Sequence, residues 1–251
     1  MNYKKIMSMC LLTIVPFFNI EQVSYAIKFE DKDKAREWGK NKYEKLLHEK
    51  LTNIEKKAIN DYTIGDYSVV NKYLISTKGK FIKDYKFLPP EYETNKVNIE
   101  EIIEKIKCLD HAIKKFNIDE EIFVYRHIFT RQFGNLALGL RVDRKINEKI
   151  VKKIEDTYLD KIMVSHNFLS TSLVQNLDVF EKKDYPYPII MKIKIPKGIN
   201  GVYISSISNF SEELEMLINR DYGLRYDQFF IVKNGAWEVL KINVSLIKHH
   251  H

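Results

Sequence analysis

The chain has 251 residues, with 41 Lys and Arg against 34 Asp and Glu, a formal charge of +7, and 45% hydrophobic and 12% aromatic residues. This is a globular composition that excludes a disordered tail, and nine Gly and six Pro exclude a collagen-like or linker-rich chain. No apolar run reaches the roughly 18 to 20 residues of a membrane-spanning helix. The basic surplus is scattered over helical segments without a binding motif beside it, so neither a membrane span nor a nucleic-acid partner is expected.

Residues 1–26 read as a secretory signal peptide: Lys4 and Lys5 precede an apolar stretch from Ile6 to Phe18, and Ser24-Tyr25-Ala26 offers small residues where a peptidase cuts. Loss of Lys4, Lys5 and Glu21 lowers the formal charge from +7 to +6 and takes Cys10 with it. A secreted chain left with Cys108 alone has no internal disulfide and must rest on its apolar core. Cys108 falls on the apolar stripe of an expected helix, where a packed thiol is the simpler reading than a nucleophile. No CxxC pair or HExxH spacing suggests a metal. His249 to His251 read as a tag remnant, which leaves residues 27–248 as one expected domain.

From residue 31 to about 117 the apolar period is helical. Asp31 or Asp33 can cap a helix through Trp38 and Tyr43, and Thr52 with Glu55 forms a capping box before the next one. A third helix is expected over Tyr67 to Leu74, a loop over 75 to 97, and then a helix from Asn98 with the stripe Ile99, Ile102, Ile103, Ile106, Leu109, Ile113 and Phe116. Beyond Glu121 strands take over: EIFVYR at 121–126, PIIMKIKIPKG at 188–198, and FFIVKNGAWEVLKI at 229–242 with Asn234-Gly235 as a hairpin signal. One helix, Asn147 to Leu159, intervenes. Helices first and strands later mean an α+β fold, not alternating βαβ units.

Three patches carry polar chemistry. Arg126 ends the first strand, presenting a planar donor set suited to phosphate or carboxylate, or simply a surface charge. In NFLSTSL, residues 167–173, Ser170 and Ser172 fall on one strand face and Thr171 on the other, as hydroxyls that orient a neighbouring carboxylate or as an ordinary edge strand. In NFSEELEMLINR, residues 209–220, a strand would put Glu213 and Glu215 on one face, roughly 6 to 7 Å apart, with Leu214 and Met216 in the core. Such paired carboxylates suit substitution at a sugar carbon; a charged helical turn is the competing reading.

Taken in order, Tyr125-Arg126, Ser170-Thr171-Ser172 and Glu213-Leu214-Glu215 resemble the bacterial mono-ADP-ribosyltransferase exotoxins, whose pattern is an aromatic-Arg strand, an STS strand and a Glu-x-Glu or Gln-x-Glu strand. AREWGKNKYEK at 35–45, EKKAINDYTIGDYSVVNKYL at 55–74, RQFG at 131–134 and IPKG at 195–198 extend the resemblance over nearly the whole mature chain. It implies a helical cap followed by a β-sandwich of mostly antiparallel strands, NAD as co-substrate, and no metal. It further implies that Arg126 holds the NAD phosphates and Asn167, Thr171 and Ser172 belong to the cofactor site. Tyr62, Tyr67 and Asn71 would cover NAD from the cap. Ser170 would orient Glu215, Glu215 would stabilise the reacting ribose, and Glu213 would engage the acceptor. Glu at that position goes with arginine as acceptor, Gln with asparagine in the Rho-modifying exoenzymes. Phe210 reads either as a core residue or as the exposed aromatic that touches the protein substrate.

The chain departs from the pattern after Phe180, where Lys183 stands in the region of a second NAD-binding Arg and Asp184-Tyr185-Pro186-Tyr187 follows as an insertion. The expectation is therefore a secreted, monomeric, arginine-specific transferase acting in a host cytosol, with actin as first target and a Rho-family GTPase as second. A separate cell-binding component can accompany it. NAD glycohydrolysis and an inactive NAD-binding module are the alternatives.

Overall fold

The computed structural model describes residues 26–176 and 187–248. Residues 1–25 with Cys10, residues 177–186 with Phe180, Lys183 and all of the insertion but Tyr187, and His249 to His251 lie outside the described residues.

The N-terminal half is helical, as the period requires. Helix α1 (Lys32–Lys50) is capped by Asp31, whose carboxylate accepts from the Asp33 and Lys34 N–H groups. Helix α2 (Asn53–Asp61) starts on the expected capping box, Thr52 and Glu55 bonding each other's backbone. It does not stop where a third helix was expected to begin. A π-helical turn (Tyr62–Asp66) joins it to α3 (Tyr67–Thr77), with right-handed backbone throughout, until Lys78 turns left-handed at φ 51°. The stretch expected as a loop is shorter than 75–97: α3 takes its first residues, and α4 (Pro90–Thr94) forms with proline at its first turn, where the missing N–H costs nothing. Helix α5 (Ile99–Lys114) starts on Asn98 and buries the whole stripe predicted for it.

The strand half contains β1 (Ile122–Ile128), β2 (Arg141–Val142), β3 (Lys145–Ile146), helix α6 (Glu148–Tyr158), β4 (Ile162–Ser165), β5 (Leu169–Ser172), β6 (Ile189–Ile195), β7 (Gly201–Tyr203), β8 (Glu215–Ile218), β9 (Tyr222–Asn234) and β10 (Trp237–Ile247). Eight strands follow the order β4-β9-β10-β6-β1-β5-β8-β7, antiparallel except for β10 on β6. β1 pairs with β6 along its full length, yet its ladder with β5 holds the single pairing Tyr125↔Ser172. The eight strands thus form one sheet whose β1–β5 ladder is its shortest, beside Arg126. The hairpin turn sits one residue later than its signal, because Asn234 still pairs with Trp237 and Gly235, at φ 60°, leads the two-residue loop.

The cap seats on the strands through apolar burial and close approach. Gly39 of α1 lies against the Tyr203 ring of β7, so near that a Cβ there would stand 2.6 Å from it. Arg220, after β8, reaches α5 with a buried pair to Asp110 at 2.7 Å.

Candidate active site

Beside the short β1–β5 ladder, a cavity of about 350 Å³ opens between the cap and the sheet. Tyr62, Thr63, Ile64, Tyr67 and Asn71 line it from the helical side, Tyr125 to His127 and Ser170 to Ser172 from the strands, and Tyr187, Phe210, Glu213 and Glu215 close it. The three patches, separated by some forty residues each in sequence, meet here because β5 is the strand between β1 and β8.

Glu215 is 3% exposed, at the first position of β8 and opposite Ser172. Ser170 donates its hydroxyl to Glu215 Oε1, and the Glu215 N–H is held by Ser205 Oγ at 3.1 Å. Burial drives its carboxyl up to about 7; the Ser170 hydrogen bond opposes the rise, the Glu213 charge adds to it, and Arg126 opposes it. Arg126 donates Nη1 to the Ser170 carbonyl at 2.8 Å. Burial pulls its pKa below the usual guanidinium value, against Tyr62, Glu215 and Tyr226, and it stays a cation. A single serine thus links the cation, through its carbonyl, to the carboxylate, through its hydroxyl.

Within 209–220 each of the two readings holds for a part: a helical turn comes first, and the strand β8 starts only at Glu215. Ser211–Glu213 is a 3₁₀ turn and Leu214 is left-handed at φ 48°, so Glu213 does not sit one strand-step from Glu215. Both carboxylates still line the cavity, because the left-handed residue turns the chain while Leu214 itself goes into the core. Phe210 is 46% exposed, which decides against a core role.

On the cap, Tyr62 is buried, edge-on to Tyr67 at 6.5 Å and to Phe168 at 5.8 Å, and its hydroxyl accepts from Asn71 Nδ2 at 2.9 Å. Among the described residues Asn71 Oδ1 is buried without a hydrogen-bond partner. Ser172 and Thr171 serve backbone as well as the cavity: Thr171 donates to the Met216 carbonyl at 2.7 Å, and Ser172 Oγ accepts from the Val174 N–H. Asn167 is not brought to the cavity wall; its amide donates to the Phe168 carbonyl and its oxygen accepts from Ser165. Sequence reasoning missed Thr63, Ile64, His127 and Tyr187. His127 donates Nε2–H to the Gln175 carbonyl and meets the Tyr187 ring edge-on. Strict strand alternation sends His127 to the face opposite Arg126, yet both line the cavity.

This assembly has known counterparts. Residues 35–249 match the ADP-ribosyltransferase exoenzyme family. The chain belongs to that family. It is 28% identical over 225 residues to mono-ADP-ribosyltransferase C3 of a Clostridium botulinum D phage, covering 87% of this chain and 80% of that one. It is 29% identical over 164 residues to the NAD(+)–arginine ADP-ribosyltransferase EFV of Enterococcus faecalis, covering 65% of this chain and 26% of that one. The solved structure of Plx2a, an ADP-ribosyltransferase toxin from Paenibacillus larvae, superposes with a TM-score of 0.73 at 30% identity, over 88% of this chain and all of that one. The exoenzyme family transfers ADP-ribose from NAD, so the cation, the hydroxyl and the carboxylates of this cavity belong to a mono-ADP-ribosyltransferase. Among the described residues no helix is long and apolar enough to cross a membrane, and no group of acidic, His or Cys side chains is arranged to hold a metal.

Proposed function

We propose that this protein is a secreted toxin transferring ADP-ribose from NAD to an arginine of a host protein, residues 27–248 being one catalytic domain. The observation that carries the reading is Glu215, buried and hydrogen-bonded to Ser170 beside Arg126, with Glu213 on the same cavity. NAD would bind with its phosphates on Arg126 and with Tyr62, Tyr67 and Asn71 over it from the cap. The glycosidic bond from ribose to nicotinamide breaks, and nicotinamide leaves with the bonding pair. The Glu215 carboxylate stabilises the positive charge left on the ribose, as a preorganised group in a low-dielectric site. An arginine nitrogen then bonds to the ribose carbon while its proton passes to Glu213.

Glutamate at 213 favours arginine as acceptor. The guanidinium is cationic and forked, so a carboxylate binds it and eases loss of its proton, which a neutral amide does less well. The name of the EFV relative runs the same way. Actin is the first target by resemblance. The similarity to C3 mono-ADP-ribosyltransferases over most of their length favours a Rho-family GTPase as the second target. Lys183, which lies outside the described residues, would replace a second phosphate-binding arginine as a point charge.

The test is incubation of the mature protein, and of Glu215→Gln, with biotin-labelled NAD and a eukaryotic lysate, followed by mass spectrometry of labelled bands. Arginine-linked label on a band of actin's size, absent with the variant, is the expected result. Label on an asparagine, or on a small GTPase alone, would replace the acceptor assignment. Nicotinamide release without label would make the protein an NAD glycohydrolase, and neither signal would make it a binding module.

A further inference from the structure

Residues 205–213, Ser-Ser-Ile-Ser-Asn-Phe-Ser-Glu-Glu, run from the serine that holds the Glu215 N–H to the acceptor-side Glu213. Burial holds this segment weakly: its two apolar side chains are Ile207, half-buried, and Phe210, exposed. Its shape therefore depends on polar bonds, and two of these come from one side chain on the cap. Asn60, in the last turn of α2, donates Nδ2 to the Ile207 carbonyl at 2.9 Å, and its Oδ1 accepts from Asn209 Nδ2 at 3.2 Å. Its own carbonyl accepts from the Thr63 hydroxyl at 2.8 Å, and Thr63 lines the cavity. A second anchor, Arg36 of α1 on Glu212 at 2.8 Å, is more exposed and more readily screened by salt.

We propose that Asn60 is a positioning residue for protein-substrate recognition: it clamps the 205–213 loop to the helical cap, so that Phe210 and Glu213 present a fixed edge to the acceptor arginine. The proposal rests on the transfer reading above. The clamp acts on one half of the reaction. Nicotinamide departure depends on Glu215, Ser170 and Arg126, which are carried by β1, β5 and β8; the loop meets them at buried Ser205, at its very start, and Asn60 makes no bond to any of the three. Acceptor attack depends on Glu213 and Phe210, which the loop carries. Releasing the clamp leaves the loop to wander by an ångström or more, and misplacement on that scale costs from tenfold upward in rate.

The experiment compares wild type, Asn60→Ala and Asn209→Ala for label transfer to the acceptor protein, for nicotinamide release without acceptor, for NAD dissociation constant, and for hydrogen exchange of the 206–213 amides. Asn60→Ala should lose transfer by about tenfold, chiefly as a raised KM for the acceptor protein. Its NAD hydrolysis and NAD affinity should stay within about twofold, and loop exchange should quicken by about tenfold. Asn209→Ala removes one of the two bonds from the exposed side and should move transfer and exchange the same way by less. Asn60→Asp, which keeps the acceptor and loses the donor to Ile207, should fall between wild type and Asn60→Ala. Equal loss of transfer and hydrolysis, or unchanged loop exchange, would overturn the clamp. If Asn60→Ala does not fold, Asn209→Ala decides by the same two readouts. A wild type that releases no nicotinamide would overturn the transfer reading, and the exchange measurement would still decide the clamp.

Discussion

Glu215 must be an anion to stabilise a departing nicotinamide, and its burial works against that. Its carboxyl, raised to about 7 from the usual 4.5, ionises across neutral pH, so kcat/KM for NAD should climb as pH rises through about 7 and level off above it. A profile already flat from pH 5 would show that Glu215 is ionised in the free protein well below pH 7 and that burial does not raise its carboxyl. Stability moves oppositely. A pKa higher in the folded chain favours folding below 4.5, and that preference is lost as pH rises through about 7. Glu215→Gln should therefore gain stability over wild type above pH 7, by up to about 3 kcal/mol in urea unfolding, and lose transfer and hydrolysis by at least a hundredfold. Glu213→Gln should separate the half-reactions, dropping arginine transfer by about two orders of magnitude while nicotinamide release persists; equal loss would mean that Glu213 also serves the first step.

Among the elements, α2 holds a charge cluster whose role is structural. Glu55 is buried; burial alone would raise its carboxyl, but Lys115, the Thr52 N–H and His111 outweigh that and hold it down to about 2. Lys115 bonds it at 2.6 Å and His111 at 2.7 Å, so one carboxylate caps α2 and ties it to the end of α5. A carboxyl lowered on folding stabilises above its unfolded pKa near 4.5, and the benefit is lost as pH falls toward 2. Glu55→Gln should cost about 2 kcal/mol at pH 7, the exposed side of His111 weakening the pair, and nearly nothing by pH 2. A pH-independent cost would assign the loss to the cap's hydrogen bonds instead. Cys108, half-buried on α5, has its thiol pushed up by burial first and by the Glu55 charge second.

At the scale of the whole molecule, the cavity exists because the cap is seated on the strands. Gly39→Ala tests the seating: its methyl would meet the buried Tyr203 ring, so a loss of about 1 to 3 kcal/mol in urea unfolding is expected. Unchanged stability would mean that the ring yields without cost.

How much of this was legible follows the range of the interactions. The helix starts at Asp31, Thr52 and Asn98, the α5 stripe and the β1 and β6 strands rest on bonds and periods spanning a few residues, and the chain states them directly. The polar types at Arg126, Ser170, Glu213 and Glu215 were likewise readable, since their chemistry is local to the side chain. Tertiary structure decided the rest. The π turn that brings Thr63 and Ile64 to the cavity has no sequence signature, because the i to i+5 pattern is set by what the helix packs against. The left-handed Leu214 ends the alternation that would have paired the two glutamates, a strained backbone fixed by burial of its own side chain. Sheet order, with β5 between β1 and β8, and the one-pair β1–β5 ladder beside the cleft, arise from pairings between strands some forty residues apart. The sequence supplies the reacting groups; the distance and angle at which they meet come from long-range packing, which no local pattern encodes.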